Sequence, residues 1–256
     1  MTGQPLAEGA SRRSEGASPW HQGFHSKARL VSGGAGLAGV EIVLDAGFKT
    51  YWRQPGDAGL PPRFDWAGSE NLAGAEIAWP APARSEDAGG VAYSYHDRVL
   101  FPVRVKAQDP ARPVRLRLKA EYGVCKEICI PASAELTLLL DRDAQHRPLI
   151  EAALARVPRP QPPGAPGPLS ILSMEAVPAD KPTYRVSVRA PDGAALFAEG
   201  PENWYLSSSV VQGGSALVTV EEKPKGEATA PLRITLVAGQ DAVETELHLD
   251  GTLRSR

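Results

Sequence analysis

Glu121-Tyr122-Gly123-Val124-Cys125-Lys126-Glu127-Ile128-Cys129-Ile130-Pro131 holds both cysteines of the 256-residue chain. An alternating run, Val114, Leu116, Leu118, Ala120, leads into it, and a second, Ala134, Leu136, Leu138, Leu140, leads out. Apolar residues at every second position read as half-buried strands. The cysteines therefore sit where one strand ends and the next begins, with Gly123 and Pro131 punctuating the connection. Fully extended, residues 125–129 would hold their end Cα atoms about 13 Å apart, whereas a disulfide needs roughly 4.4–6.8 Å. The pair can bridge only if the segment folds back as a turn or a single helical turn. Such a ring is very small and gives little loop-closure stabilisation. A tiny loop with Lys126 between the sulfurs suits a working redox pair better than a staple. Lys126 favours a thiolate, and Glu127 opposes it.

Three other readings of the cysteines stay open: two buried free thiols, a purely structural disulfide, or ligands of a soft Cu(I) ion, which thiolates suit. A zinc site is a weak reading of Cys-x-x-x-Cys, because zinc usually takes four ligands. The five histidines (His21, His25, His96, His146 and His248) are scattered in sequence. No other cofactor is indicated.

Working outward, Val40, Ile42 and Leu44 alternate, as do Val99, Phe101, Val103 and Val105, where Pro102 predicts an edge or a bulge. Residues 20–33 and 72–80 read as further strands, 84–90 as a polar loop, and 147–157 as a helix. Tyr51-Trp52-Arg53-Gln54-Pro55-Gly56-Asp57, and the aromatic stretch that follows it to Trp66, read as core and loop packing, or as a recognition surface beside the cysteines. Residues 1–18 lack an apolar core of a signal sequence and read as a disordered tail. Residues 158–168 contain six prolines, a semi-rigid linker and the best boundary in the chain. Beyond it, strands recur at short spacing over 169–256, which argues a β-sandwich. The 24 prolines and 25 glycines fit an all-β protein with many turns. A net charge of −2 gives no general field for nucleic acid or a membrane surface. No apolar run is long enough for a membrane span. No Ser/His/Asp nucleophile motif or phosphate loop is present.

The run 51–66, the segment Tyr95-His96-Asp97-Arg98-Val99 and the cysteine stretch together resemble the N-terminal periplasmic domain of the DsbD/ScsB thiol–disulfide interchange reductases, the ScsB-like branch above all. The resemblance covers about residues 18–140 and extends loosely through the second half. It implies two immunoglobulin-like sandwiches, residues 19–157 and 169–256, joined by the 158–168 linker. It also implies a periplasmic location, with a signal upstream of Met1 as the expectation. Cys125 and Cys129 would then be a protein-disulfide reductase-like pair, Cys129 attacking and Cys125 resolving. Glu86 and Asp87 fall at the acidic positions of the family's cap loop. Ala88 stands where the family has an aromatic, which leaves Tyr93 or Tyr95 to shield the cysteines. Asp97, with Glu86 or Asp87, would tune a pKa or move protons. The resemblance implies as partners a thioredoxin-like or membrane electron-donor protein and periplasmic disulfide-containing proteins. The residues alone leave a different class open, a non-catalytic sandwich that binds Cu(I) or an envelope protein.

Overall fold

The computed structural model describes residues 16–57, 59–87, 90–140, 144–226 and 230–248. The first half forms β1 (His21–Gly23), β2 (Ser26–Ser32), β3 (Leu37–Leu44), β4 (Lys49–Gly56), β5 (Arg63–Asp65), β6 (Leu72–Ile77), β7 (Ala83–Asp87), β8 (Gly90–His96), β9 (Arg98–Ala107), β10 (Val114–Cys125), β11 (Cys129–Leu140) and one helix, α1 (Arg147–Leu154). The second half is β12 (Arg159–Pro160), β13 (Ser170–Val177), β14 (Thr183–Arg189), β15 (Ala195–Glu199), β16 (Tyr205–Ser208), β17 (Ser215–Glu222), β18 (Pro231–Ala238) and β19 (Asp241–His248). The fold is all-β, built as two sandwiches. In the first, a sheet ordered β1-β2-β3-β9-β6 faces one ordered β11-β10-β4-β8-β7, with β5 added beside β10. In the second, β12-β19-β18-β15 faces β13-β14-β17-β16.

Period-two burial makes each core. On β10, Leu116, Leu118, Ala120, Tyr122 and Val124 point inward against Val40, Ile42 and Phe101 of the facing sheet. A second core gathers around Ile171, Leu196, Leu232, Ile234 and Leu236. Fully burying side chains of this size stabilises a fold by roughly 1.5–3 kcal/mol each. The helix ends at Leu154, three residues short of the expected 157, and buries Ile150 against Val31 and Leu100 on the outside of the first sheet.

Several local expectations change. The first strand is two, because the chain turns at His25 (φ 42°) between β1 and β2. The polar segment 84–90 is mostly strand, the β7–β8 hairpin, in which Glu86 lies opposite Val91 and Asp87 opposite Gly90. Pro102 lies neither on an edge strand nor at a register shift of β3–β9, since β9 is flanked by β3 and β6. Its carbonyl accepts from Ala78, just past the end of β6. A strand residue's N–H and C=O point to the same side, so the missing N–H faces the place where β6 has ended. Within the presumed tail, Ala17 bridges to Val31; residues 1–15 lie outside the described residues. The start of the proline-rich segment is not free either. Arg159 and Pro160 pair in parallel with Val243 and Glu244, and Thr245 donates its hydroxyl to the Gln161 carbonyl.

The two sandwiches share side chains. Phe197 of β15 is fully buried against the first core, its ring 4.7 Å from Tyr93 and 5.6 Å from Trp52. Arg53 of β4 makes a two-pronged bond to Glu199 (2.8 and 2.6 Å) and reaches Glu244 at 2.6 Å.

Candidate redox site

Inward positions of β10 are even-numbered, so Cys125 points to the opposite face, outside the core. The strands reverse across Lys126-Glu127-Ile128, and Cys125 and Cys129 become a directly opposed pair of the β10–β11 ladder. Their Cα atoms are 4.1 Å apart and the sulfurs are bonded. The turn required by the spacing is thus a hairpin end.

Cys125 is 1% exposed, although it lies outside the main core. Its cover is Tyr51 of β4 and Ala92 of β8, both buried, with Cys129 partly buried beside them. The Tyr51 hydroxyl is 3.2 Å from Cys129 Sγ. A disulfide sulfur carries no proton, so the tyrosine donates. Two glycines make this approach possible. A Cβ on Gly59 (φ +144°) would lie 2.5 Å from the Tyr51 ring, and one on Gly123 would lie 2.9 Å from Leu60. Around the hairpin end, exposed apolar side chains stand beside the charged Lys126 and Glu127 of the turn. Ile128 is 76% exposed, and Leu60 and Ile130 are each over a third exposed. A groove of about 510 Å³ runs on from there, lined by Leu60, Pro61, Tyr122, Pro131 and Ala132 and also by Arg63, Glu121 and Ser133.

The structure brings Cys125 and Cys129 together, but not the tyrosines expected to shield them. Tyr95 faces the core, edge-on to Phe101 at 5.4 Å, and donates to the Pro80 carbonyl at 2.7 Å. Burial raises its pKa well above the ordinary tyrosine value. Tyr93 also turns inward and bonds Ser208 of the second sandwich at 3.1 Å. The reason is parity: on β8 the odd positions are core positions, and Ala92 and Ser94 take the cysteine face. Asp97 adopts φ 57° in the tight turn between β8 and β9, its carbonyl accepting from Leu44. Glu86 is exposed, with Arg84 Nη1 3.4 Å from its carboxylate. The backbone of Asp87 closes the hairpin; Ala88 lies outside the described residues.

Sequence reasoning named Tyr51 only as part of an aromatic stretch. The signal was its parity. With Trp52 fully buried in the core, Tyr51 must face the other way, as Cys125 does.

Residues 18–141 match the family model described as the N-terminal region of the thiol:disulfide interchange protein DsbD. These residues form a DsbD-type N-terminal domain. Over most of its length the chain also shares its fold with the crystal structure of the N-terminal periplasmic domain of ScsB from Proteus mirabilis. That likeness has a TM-score of 0.73 at 21% identity, and covers 92% of this chain and 98% of that one. No curated protein sequence matches. The DsbD-type domain contains the cysteine hairpin, Tyr51 and the β7–β8 hairpin. The second sandwich lies outside the family match and inside the structural one.

Proposed function

We propose that the chain is a periplasmic thiol–disulfide exchange module that carries reducing equivalents from a reductant protein to partner disulfides. The observation that carries the reading is the unequal exposure of two bonded sulfurs at an exposed hairpin end. Cys125 is sealed under Tyr51 and Ala92, while Cys129 is reachable. In the reduced form, the Cys129 thiolate attacks one sulfur of a partner disulfide. A mixed disulfide forms, and the partner's other sulfur leaves as a thiolate. Cys125 then attacks Cys129 Sγ, restores the internal disulfide and releases the partner's second thiolate, which takes up a proton. Two electrons pass to the partner, and the reductant protein later returns two to the pair. The Tyr51 hydroxyl, already donating to Cys129 Sγ, stabilises negative charge there when the bond opens. The exposed Ile128, Ile130 and Leu60 give a partner an apolar seat around the reacting sulfur. The match to the N-terminal region of a thiol:disulfide interchange protein supports the chemistry, and the likeness to a periplasmic domain of ScsB supports the compartment.

Equilibration against glutathione tests this. An exchanger has a potential of about −120 to −270 mV, whereas a static bridge lies below about −300 mV. A value in the second range would refute the proposal.

A further inference from the structure

The register of the second sheet puts four side chains in one rung: Cys129 opposite Cys125, Cys125 opposite Lys49, and Lys49 opposite His96. Directly opposed residues share a face, with Cβ atoms about 4.5–5.5 Å apart. Lys49 is therefore on the disulfide's side of the sheet, directly across the strand pair from the buried cysteine. It is only 9% exposed. Its Nζ sits 5.9 Å from the centre of the Tyr51 ring, the ring whose hydroxyl meets Cys129 Sγ. Lys126, the cation between the cysteines in sequence, is exposed, with its Nζ over the Phe48 ring at 5.9 Å.

We propose that Lys49 is a positioning residue that holds the resolving sulfur, Cys125, as a thiolate in the reduced protein. The inference rests on the exchange reading and names which group sets its second step. When the reductant's dithiol opens the internal disulfide, the S–S bond breaks and two electrons enter. Both sulfurs become thiolates, and solvent protons are shared between them. Burial alone would protonate Cys125 and leave it inert. An ammonium on the neighbouring strand opposes that, so Cys125 stays ready to attack Cys129 Sγ in a mixed disulfide. Other ionisable groups surround this face. From β4 comes Tyr51, directed to Cys129. From β8 comes His96, exposed and one strand further away. Asp57, exposed, accepts from the Val91 N–H; on β7 the register puts Asp87, opposite Gly90, on this face and Glu86, opposite Val91, on the other; Lys126 and Glu127 of the turn are exposed and opposite in sign.

The test has two parts. In a Cys129→Ser background, the Cys125 thiolate is followed by its absorbance near 240 nm as pH is varied, with Lys49, Lys49→Arg and Lys49→Met. The expected result is about tenfold less thiolate for Lys49→Met at a pH below the midpoint, and near-normal titration for Lys49→Arg. In the two-cysteine protein, the reduced form is mixed with oxidised glutathione. Release of glutathione from Cys129 should then be about tenfold slower in Lys49→Met and restored in Lys49→Arg. Identical titrations for all three would overturn the proposal. So would an equal shift in Arg and Met, which marks a packing role. Should Lys49→Met fail to fold, Lys49→Gln takes its place in both measurements. The titration needs no protein partner, so it stands apart from failure of the exchange reading.

Discussion

Replacing Arg53 by Met tests how the two sandwiches are held together. Arg53 is 19% exposed, and its carboxylate partners Glu199 and Glu244 are 14% and 21% exposed. Burial opposes the guanidinium's charge, but bonds to both acids outweigh it and raise its pKa further above the ordinary arginine value. The group is therefore charged at every accessible pH and adds no pH dependence of its own. Methionine keeps much of the packing over Trp52, whose ring lies 4.4 Å from the guanidinium carbon. What is lost is the charge between two acids that both reach the same nitrogen. Removing one partner of a buried ion pair costs about 3–5 kcal/mol, because the other side is left uncompensated. Thr235 and Arg233 still reach Glu244, whereas Glu199 loses both of its bonds to Arg53. A value near 3 kcal/mol is expected, or about 6–12 °C in Tm at roughly 2–4 °C per kcal/mol. Thermal and urea unfolding, read by tryptophan fluorescence, measure it. Adding Glu199→Gln to Arg53→Met should return more than half of the loss, since it removes the stranded charge. A loss under about 0.5 kcal/mol in the single variant, or further loss in the double, would refute the reasoning.

Tyr51→Phe removes the hydroxyl on Cys129 Sγ. It should cost only about 1 kcal/mol of stability while raising the Cys129 thiol pKa, measured by thiolate absorbance in a Cys125→Ser background. Reducing the disulfide should lower stability by about 2 kcal/mol at most, the chain-entropy value for so small a ring. A urea midpoint shift equivalent to much more would mark a structural staple. Burial raises the pKa values of Tyr93, Tyr95 and Tyr122. Their folded values exceed the unfolded value near 10, so their contribution is intact below about pH 10 and is lost as pH rises beyond it. Urea unfolding at pH 8 and pH 10.5 should show that loss, and Tyr95→Phe should flatten it.

The fold was largely legible because its strands obey period two. Val114 to Leu140 reads as two amphipathic runs around a reversal, and the cysteine spacing alone demanded the turn. The site was legible only at its sulfurs. Tyr95 was nominated from its place in a motif, but its odd position on β8 sends it into the core, and Tyr51 covers the disulfide instead. Which strand lies beside β10 is a long-range fact, so Lys49, far from Cys125 in sequence, left no local signal. The β12–β19 pairing was hidden for a related reason. Proline-rich composition argues a linker, yet Pro160 can sit on an edge strand with its missing N–H out of the ladder.

The most direct test of the exchange account is trapping. Cys125→Ser and Cys129→Ser proteins, expressed with export and recovered from periplasmic extract, are compared on non-reducing gels with and without a reductant. The account predicts reductant-sensitive mixed disulfides from Cys125→Ser, where the attacking sulfur remains and the resolving one is gone, and few from Cys129→Ser. No mixed disulfides from either variant would contradict it and turn attention to copper titration of the reduced pair.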